Sequence, residues 1–286
     1  MNLIHIIGLV GLILIIMLIL FICCKNSEDY TIDSSSKRKV VFLAFGGPTQ
    51  GFYDAIDRIK KEAEDINVFD KILTYTDKDL KKDEEFWKIH GDRSNNNKRG
   101  YGYWAWKPYL IKKELDKLDD NDILFYVDVG CTINKDGRKR LLEYIDMLKT
   151  SKETGIIGFH LLHTEKKYTK KLLLREFGFE NNKDVLDSGQ FISTLVPIIK
   201  NKHSMNIVNE WYKYNSNFDL VNDVTENEYP EFIEHRHDQS ILSLLLKKYG
   251  CISLKDETYD DNYPGIWKSE YPFWATRKRP HYAEKS

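Results

Sequence analysis

Asp128 stands at the end of the apolar segment "DILFYVD", two residues before Gly130. Such a segment is typical of a strand that is buried on both faces, and a nearby glycine lets the backbone turn close to a ligand. A carboxylate in this position suits a divalent cation that bridges a diphosphate, because protein acids and phosphate oxygens together supply its ligands. The alternative is that Asp128 caps the turn after the strand.

A second group of candidate residues lies in "EHRHDQSILSLLL", where two histidines, an arginine and an acid precede an apolar helix. His237 is a candidate metal ligand, Arg236 a candidate phosphate ligand with a planar pair of donors, and Asp238 a candidate general base. A structural role explains the same residues, because Asp238 stands where a helix N-cap is expected. The histidines are then ordinary residues at a helix boundary.

Further candidates lie at other predicted strand ends, since ligands of open α/β sheets bind beyond the carboxyl ends of the strands. Phe45 and Gly46 end the first strand, and Asp77 follows the second. Gln190 in "DSGQFIS" is a candidate because Gly189 permits a bend that aims it at a ligand, although a plain β-turn explains that glycine equally well. The charged segment "HTEKKYTK" after the fourth strand is typical of a solvated surface.

The elements that position these residues follow from hydrophobic periodicity. Apolar runs predict strands at 39–45, 71–76, 122–128, 155–161 and 189–194, and the segment 251–256 closes the regular part of the chain. Helical periods predict helices at 52–66, around Phe86 and Trp87, and at 102–118, 141–148, 170–177, 198–214 and 238–249. The polar stretch 91–100 between two of these helices is predicted to be a loop. Strands that alternate with helices indicate an α/β fold with a mostly parallel sheet.

The first 24 residues differ in kind from the rest, because no side chain from Leu3 to Cys24 is charged. A helix of that length spans roughly the 30 Å hydrocarbon core of a bilayer. We therefore predict a transmembrane anchor at 1–24, a polar linker at 25–38 and one domain at 39–286. Basic residues after the anchor favour a cytoplasmic domain, and a lumenal, Golgi-type orientation is the alternative.

The amino-acid composition limits the classes of molecule that the protein is expected to bind. Of 286 residues, 30% are charged and the formal net charge is −1, so no basic excess points to nucleic acid. The aromatic residues are clustered, which favours stacking surfaces such as those that bind sugars or bases.

In their order, "GYGYWAWKPYLI", "DILFYVDVGC", "EKKYTK", "DSGQFIS" and "HRHDQSILSLL" resemble polysaccharide-associated glycosyltransferase-like proteins of the nucleotide-diphospho-sugar transferase (GT-A) superfamily, over nearly all of residues 40 to 255. The resemblance implies a Rossmann-like GT-A fold, a nucleotide-sugar donor and a glycan or lipid-linked acceptor. It also implies Mn²⁺ or Mg²⁺ held by an Asp-x-Asp motif. Asp128 is then the first acid, and Gly130 stands in place of the second, which bears on metal dependence.

On this resemblance the donor lies across the strand ends, close to the aromatic segment that precedes Asp128. Arg99 and Lys107 then neutralise the diphosphate, Tyr101 lies beside it, and Asp238 deprotonates the acceptor hydroxyl. Two other functions fit parts of the pattern. One is a non-catalytic, membrane-tethered carbohydrate-binding protein, and the other is a metal-dependent phosphoesterase, which requires several acids or histidines around two metals.

Overall fold

The computed structural model describes residues 38–97, 99–151, 153–259 and 267–277. The predicted membrane anchor, and the linker up to residue 37, lie outside these residues. Within the described part of the chain, no helix is both long and apolar enough to span a bilayer.

The strands of the described residues are β1 Val40–Phe45, β2 Lys71–Tyr75, β3 Ile123–Val127, β4 Thr132–Ile133, β5 Ile157–Thr164, β6 Gly189–Phe191, β7 Leu195–Ile199, β8 Ile252–Lys255 and β9 Phe273–Trp274. The helices are α1 Gln50–Asp65, α2 Asp77–Lys82, α3 Glu84–Asn96, α4 Trp106–Lys117, α5 Arg138–Thr150, α6 Glu165–Tyr168, α7 Lys171–Glu176, α8 Lys183–Leu186, α9 Lys202–Ser216, α10 Phe218–Val221 and α11 His237–Tyr249. Two single turns add to them, at Gly100–Tyr103 and Lys135–Gly137.

The central sheet has the strand order β2-β1-β3-β7. β1 runs parallel to both β2 and β3, whereas β7 is antiparallel to β3. A second sheet has the order β6-β5-β8, and a bridge between Ile156 and Ile198 joins its central strand to the edge of the first sheet. The predicted α/β class with a mostly parallel sheet core is confirmed.

Strand β1 shows why the sheet is covered on both faces. Its six residues are all buried, and alternate side chains enter two separate hydrophobic clusters. Val41 and Leu43 pack with the aromatic helix α4, and Phe42 and Ala44 pack with α1. Helices on both sides of a sheet explain the unbroken apolar run in the sequence.

The sequence prediction is wrong about strand β7, where a helix was expected from residue 198. The helix α9 begins only at Lys202, after a capping box at Asn201. The Asn201 side chain accepts a hydrogen bond from Ser204 N at 2.8 Å, and Ser204 Oγ accepts one from Asn201 N at 3.0 Å. The apolar residues before that cap are therefore free to pair with β3.

The segment "HTEKKYTK" also departs from the prediction of a solvated surface, because Glu165 is fully buried and Lys170 is 1% exposed. The Glu165 carboxylate accepts hydrogen bonds from Lys247 and Ser243, each at 2.5 Å. Lys170 Nζ donates to Asn222 O at 3.1 Å and to Asn222 Oδ1 at 2.9 Å. These charged side chains can be buried because residues from distant segments of the chain form hydrogen bonds with them.

Lys170 generates a prediction about stability in alkali. Burial lowers the pKa of its ammonium from 10.5 to about 8. Between these pH values the unfolded chain holds a proton that the folded chain lacks, so the stability contributed by this site rises with pH, by about 3 kcal/mol. The stability of wild type minus that of Lys170→Met, from urea unfolding at pH 7.5, 9 and 10.5, is expected to grow accordingly.

The exposed Lys202 provides the control, because Lys202→Met removes a lysine without uncovering a buried site. A wild-type-minus-Lys170→Met difference that stays constant from pH 7.5 to 10.5 would contradict the prediction.

Candidate functional site

A cavity of about 830 Å³ opens where β1 and β3 end. Its wall consists of Phe45, Gly46, Gly47, Pro48, Thr49, Phe52, Lys81, Ser94, Asn95, Gly100, Tyr101, Trp104, Trp106, Asp128, Val129, Gly130, Cys131, Thr194, Ala275 and Arg277. The cavity therefore lies at the carboxyl end of parallel strands, where α/β sheets bind ligands.

Phe45, the last residue of β1, forms part of an aromatic wall. Its ring stacks on Trp106 with centroids 4.1 Å apart and lies 6.2 Å from the ring of Tyr101. At Gly46 the chain passes so close to α1 that a Cβ atom would lie 2.8 Å from Phe52 O. A glycine is thus required where β1 gives way to the cavity.

Five consecutive residues before α4 have left-handed backbone conformations, with φ of +57° at Gly100, +50° at Tyr101, +85° at Gly102, +53° at Tyr103 and +57° at Trp104. Each of the three non-glycine residues costs about 1 to 2 kcal/mol in this conformation. A Cβ at the first glycine would lie 2.3 Å from the tryptophan ring. The turn directs two aromatic side chains into the cavity wall.

The buried guanidinium of Arg93 holds this turn in place. Its Nε donates to Gly102 O at 2.6 Å, and its Nη2 donates to Tyr103 O at 3.1 Å. Its Nη1 donates to Asn215 O at 2.7 Å, which ties the turn to α9. The loop predicted at 91–100 is therefore wrong in its first half: helix α3 continues through Asn96 and so places Arg93 under the turn.

Asp128 enters the cavity with its side chain one-third exposed, and it belongs to a buried cluster of charges. Lys107 Nζ lies 3.1 Å from Asp128 Oδ1 and 3.0 Å from Asp238 Oδ2. Ser193 Oγ donates to Asp238 Oδ2 at 2.8 Å, and Tyr126 OH donates to Asp128 Oδ1 at 2.5 Å. Helix α4, strand β3 and helix α11 thus meet at one ammonium.

The charge states of this cluster follow from its burial and pairing. Burial alone lowers the pKa of the Lys107 ammonium, but the two carboxylates outweigh it, and that pKa lies above its ordinary value. Burial, together with the charge of Asp128, raises the pKa of Tyr126 well above its ordinary range. At neutral pH the lysine is a cation and the tyrosine is a neutral donor.

Among the residues that the structure describes, Lys81 and Arg277 are the cationic side chains in the cavity wall. Lys81 Nζ lies 3.1 Å from Asp77 Oδ2, and Asp77 is itself buried and accepts a hydrogen bond from Tyr53 OH at 2.7 Å. Arg277 is exposed, and its guanidinium makes no ion pair or hydrogen bond with any residue that the structure describes. The sequence analysis missed Arg277, because the tail has no periodicity that would place it.

Seven of the eleven predicted site residues do not line the cavity. Two of these seven, Asp77 and Lys107, bind the lining residues Lys81 and Asp128, and the other five lie elsewhere. Arg99 pairs with Asp223 at 2.9 Å and with Glu234 at 3.3 Å. Arg236 lies over the ring of Tyr168, 4.2 Å from its centroid. The amide of Gln190 is buried against Glu165 and its neighbours, and Asp238 lies behind Lys107, 4% exposed.

His237, the other predicted metal ligand, is also buried and away from the cavity wall. Its ring stacks on Trp104 with centroids 5.1 Å apart, and its Nδ1 lies 2.6 Å from Val221 O. In the described residues no three acids, histidines or cysteines converge as a metal site. Asp128, whose Oδ1 is taken by an ammonium, does not by itself fit a protein-held Mn²⁺ or Mg²⁺, and metal binding stays a prediction.

No family model and no curated protein matches the chain. The solved structures that are similar to it include two with 10% identity over 78% of this chain. One is a glycosyltransferase involved in the glycosylation of the major capsid of PBCV-1, with a TM-score of 0.41 and 83% of that chain covered. The other is mouse xyloside xylosyltransferase 1 in its apo form, with a TM-score of 0.43 and 86% covered. Structural similarity at this level does not identify the function of the protein, so the residues of the cavity have to indicate it.

The left-handed turn generates a prediction for Gly102→Ala. A Cβ at this position adds the strain of φ +85° and a contact of 3.1 Å with the Cα of Ser94. We expect the free energy of unfolding to fall by about 2 to 3 kcal/mol, and the Tm by roughly 5 to 10 °C. Near-ultraviolet circular dichroism should report a changed environment of Trp104.

Gly178→Ala is the matched control, because Gly178 has φ +74° and no atom within 4 Å of the added Cβ. It should cost only the backbone strain, about 1 kcal/mol, and leave the aromatic spectrum unchanged. Equal losses in the two variants would show that the turn yields to the added methyl group.

Proposed function

We propose that the protein is a glycosyltransferase that moves a sugar from a nucleotide-diphosphate donor to a hydroxyl acceptor, such as a glycan or a lipid-linked glycan. The observation that carries the proposal is the cavity at the strand ends. Its described lining combines aromatic residues, the carboxylate of Asp128 and the guanidinium of Arg277, which has no ion-pair partner among the described residues. The proposal includes the N-terminal membrane anchor at residues 1–24.

The size and walls of the cavity suit a nucleotide sugar. Its volume of about 830 Å³ lies in the upper part of the range for small-molecule sites. Phe45, Tyr101, Trp104 and Trp106 line it. Trp104 is only half-buried, and a tryptophan ring can stack on a base or on the apolar face of a sugar. A cavity that bound only a simple ion would need no such walls.

One corner of the cavity favours an anionic ligand. Lys107 is shared between Asp128 and the buried Asp238 and offsets the charge of Asp128 only in part, and the positive charge of Lys81 is offset by Asp77. Arg277 has no such partner among the described residues, so the wall carries an excess positive charge at the corner beside Gly130. A guanidinium there suits a diphosphate, which a planar pair of N–H donors binds well.

A transferase has to stabilise the negative charge that grows on the departing nucleoside diphosphate. Arg277 is placed for that task, and Asp128 is placed to accept hydrogen bonds from sugar hydroxyls. Asp238 as general base remains a prediction from the sequence. Its carboxylate is bound by Lys107 and Ser193, so direct proton transfer from an acceptor requires the buried cluster to open.

The first test is a panel of nucleotide sugars offered to the full chain, with released nucleoside diphosphate as the readout and calorimetry for binding. We expect Arg277→Gln to weaken binding of the matching nucleoside diphosphate about tenfold, because one charge-assisted hydrogen-bond pair is lost. Arg99→Gln is the matched control, since Arg99 is half exposed and paired away from the cavity. Equal effects of the two substitutions would remove Arg277 from the site.

The non-catalytic carbohydrate-binding protein is the alternative that this panel addresses. It predicts binding of a free sugar or glycan without release of nucleoside diphosphate. Binding of a nucleoside diphosphate that is sensitive to Arg277→Gln would exclude it as the sole function.

A further prediction concerns Asp238→Asn. The substitution leaves the buried Lys107 with one charged partner in place of two, and we expect a loss of about 2 kcal/mol of stability, or roughly 4 to 8 °C in Tm. Activity should fall together with stability if Asp238 positions Lys107. A large fall in kcat at unchanged Tm and unchanged donor affinity would instead assign Asp238 as the base.

A further inference from the structure

Lys107 lies where a cation bound to Asp128 would be expected. Four oxygen atoms surround its Nζ: Asp128 Oδ1 at 3.1 Å, Asp238 Oδ2 at 3.0 Å, Ser193 Oγ at 3.1 Å and Ser193 O at 3.2 Å. An ammonium has three protons to donate, so this shell satisfies it completely. The chain supplies its own cation at the strand end.

We infer that sugar transfer by this protein proceeds without a divalent metal ion, with Lys107 in the place of that ion. This inference rests on the proposed function. It differs from the expectation drawn from the Asp-x-Asp motif, in which Asp128 is a metal ligand. The motif is incomplete here, because Gly130 replaces the second acid.

The contacts of Asp128 leave little capacity for a metal. Both Lys107 Nζ and Tyr126 OH bind the same oxygen, Oδ1. Among the described residues Oδ2 has no partner, and the side chain as a whole is one-third exposed at the cavity wall. A divalent ion at Oδ2 would lie a few ångströms from the buried ammonium, which would repel it strongly, since little water screens the two charges.

The same geometry gives Asp128 a different task. Lys107, which Asp128 shares with Asp238, reduces the repulsion between this carboxylate and a diphosphate, and Oδ2 is available to accept a hydrogen bond from a hydroxyl of the donor sugar. In the transfer step the acceptor oxygen bonds to the anomeric carbon while the bond from that carbon to the diphosphate breaks. The electron pair leaves with the diphosphate beside Arg277, and the hydroxyl proton passes to water.

The test uses the full chain with the donor found in the nucleotide-sugar panel. We expect turnover in excess EDTA to lie within about twofold of turnover in Mn²⁺ or Mg²⁺. Calorimetry with Mn²⁺ alone should show no binding, and the nucleoside diphosphate should bind equally with and without the metal. Turnover that EDTA abolishes and Mn²⁺ restores would overturn the inference and leave the proposed function standing.

A substitution adds a readout that a purely structural role would not produce. Lys107→Met removes the ammonium and leaves Asp128 and Asp238 as two uncompensated carboxylates that face one space. We expect this variant to lose at least a hundredfold in turnover and to regain part of it in Mn²⁺, which wild type ignores. Wild-type turnover without metal in the variant would contradict the role of Lys107.

If Lys107→Met fails to fold, the double variant Lys107→Met/Asp238→Asn removes one positive and one negative charge together and serves in its place. The wild-type comparison in EDTA and Mn²⁺ decides the inference independently of either variant. If the chain binds no nucleoside diphosphate in either buffer, the proposed function fails and this inference fails with it. The two failures are therefore distinguishable.

Discussion

The ammonium of Lys107 joins three parts of the chain that are distant in sequence. Its partners are Asp128 at the end of β3, Asp238 in α11 and Ser193 between β6 and β7. A fully buried charge is tolerated only when partners surround it, so none of these elements can shift without exposing an unpaired charge. The aromatic helix α4 and the strand that follows it are thus joined by the contact between Lys107 and Asp128.

A second constraint lies one turn upstream. The left-handed stretch Gly100–Trp104 is strained at three non-glycine residues, and it persists because Arg93 binds the carbonyls of Gly102 and Tyr103 from below. Backbone strain of this kind concentrates where structure serves a site. Here its product is the orientation of two aromatic rings along the cavity. The turn leads directly into α4, so the position of the rings and that of Lys107 are fixed together.

The order of apolar and polar residues in the sequence was sufficient to predict the features that depend on local burial. The apolar run of β1 and the position of Asp128 at the edge of a cavity follow from the order of apolar and polar residues. The predictions that failed concern residues whose partners lie far away along the chain. In the sequence, Lys170 has the pattern of a surface lysine, and only the fold shows that it binds Asn222. Arg93 lies in a polar stretch that predicts a loop, and only the fold shows the carbonyl groups that it binds. Arg277 lies in a tail without periodicity, and only the fold brings it to Gly130.

The glycine at position 130 and the arginine at 277 are best understood as one feature. A Cβ at position 130 would lie 3.5 Å from the Cα of Arg277, and Gly130 O accepts a hydrogen bond from Thr276 Oγ1 at 3.3 Å. The tail therefore occupies the space next to Gly130, the position at which the sequence resemblance predicts a second carboxylate. A glycine in place of an acid and an arginine beside it both make this corner of the cavity more positive. In the proposed transfer, the guanidinium of Arg277 is therefore a cation that the protein itself supplies to the diphosphate.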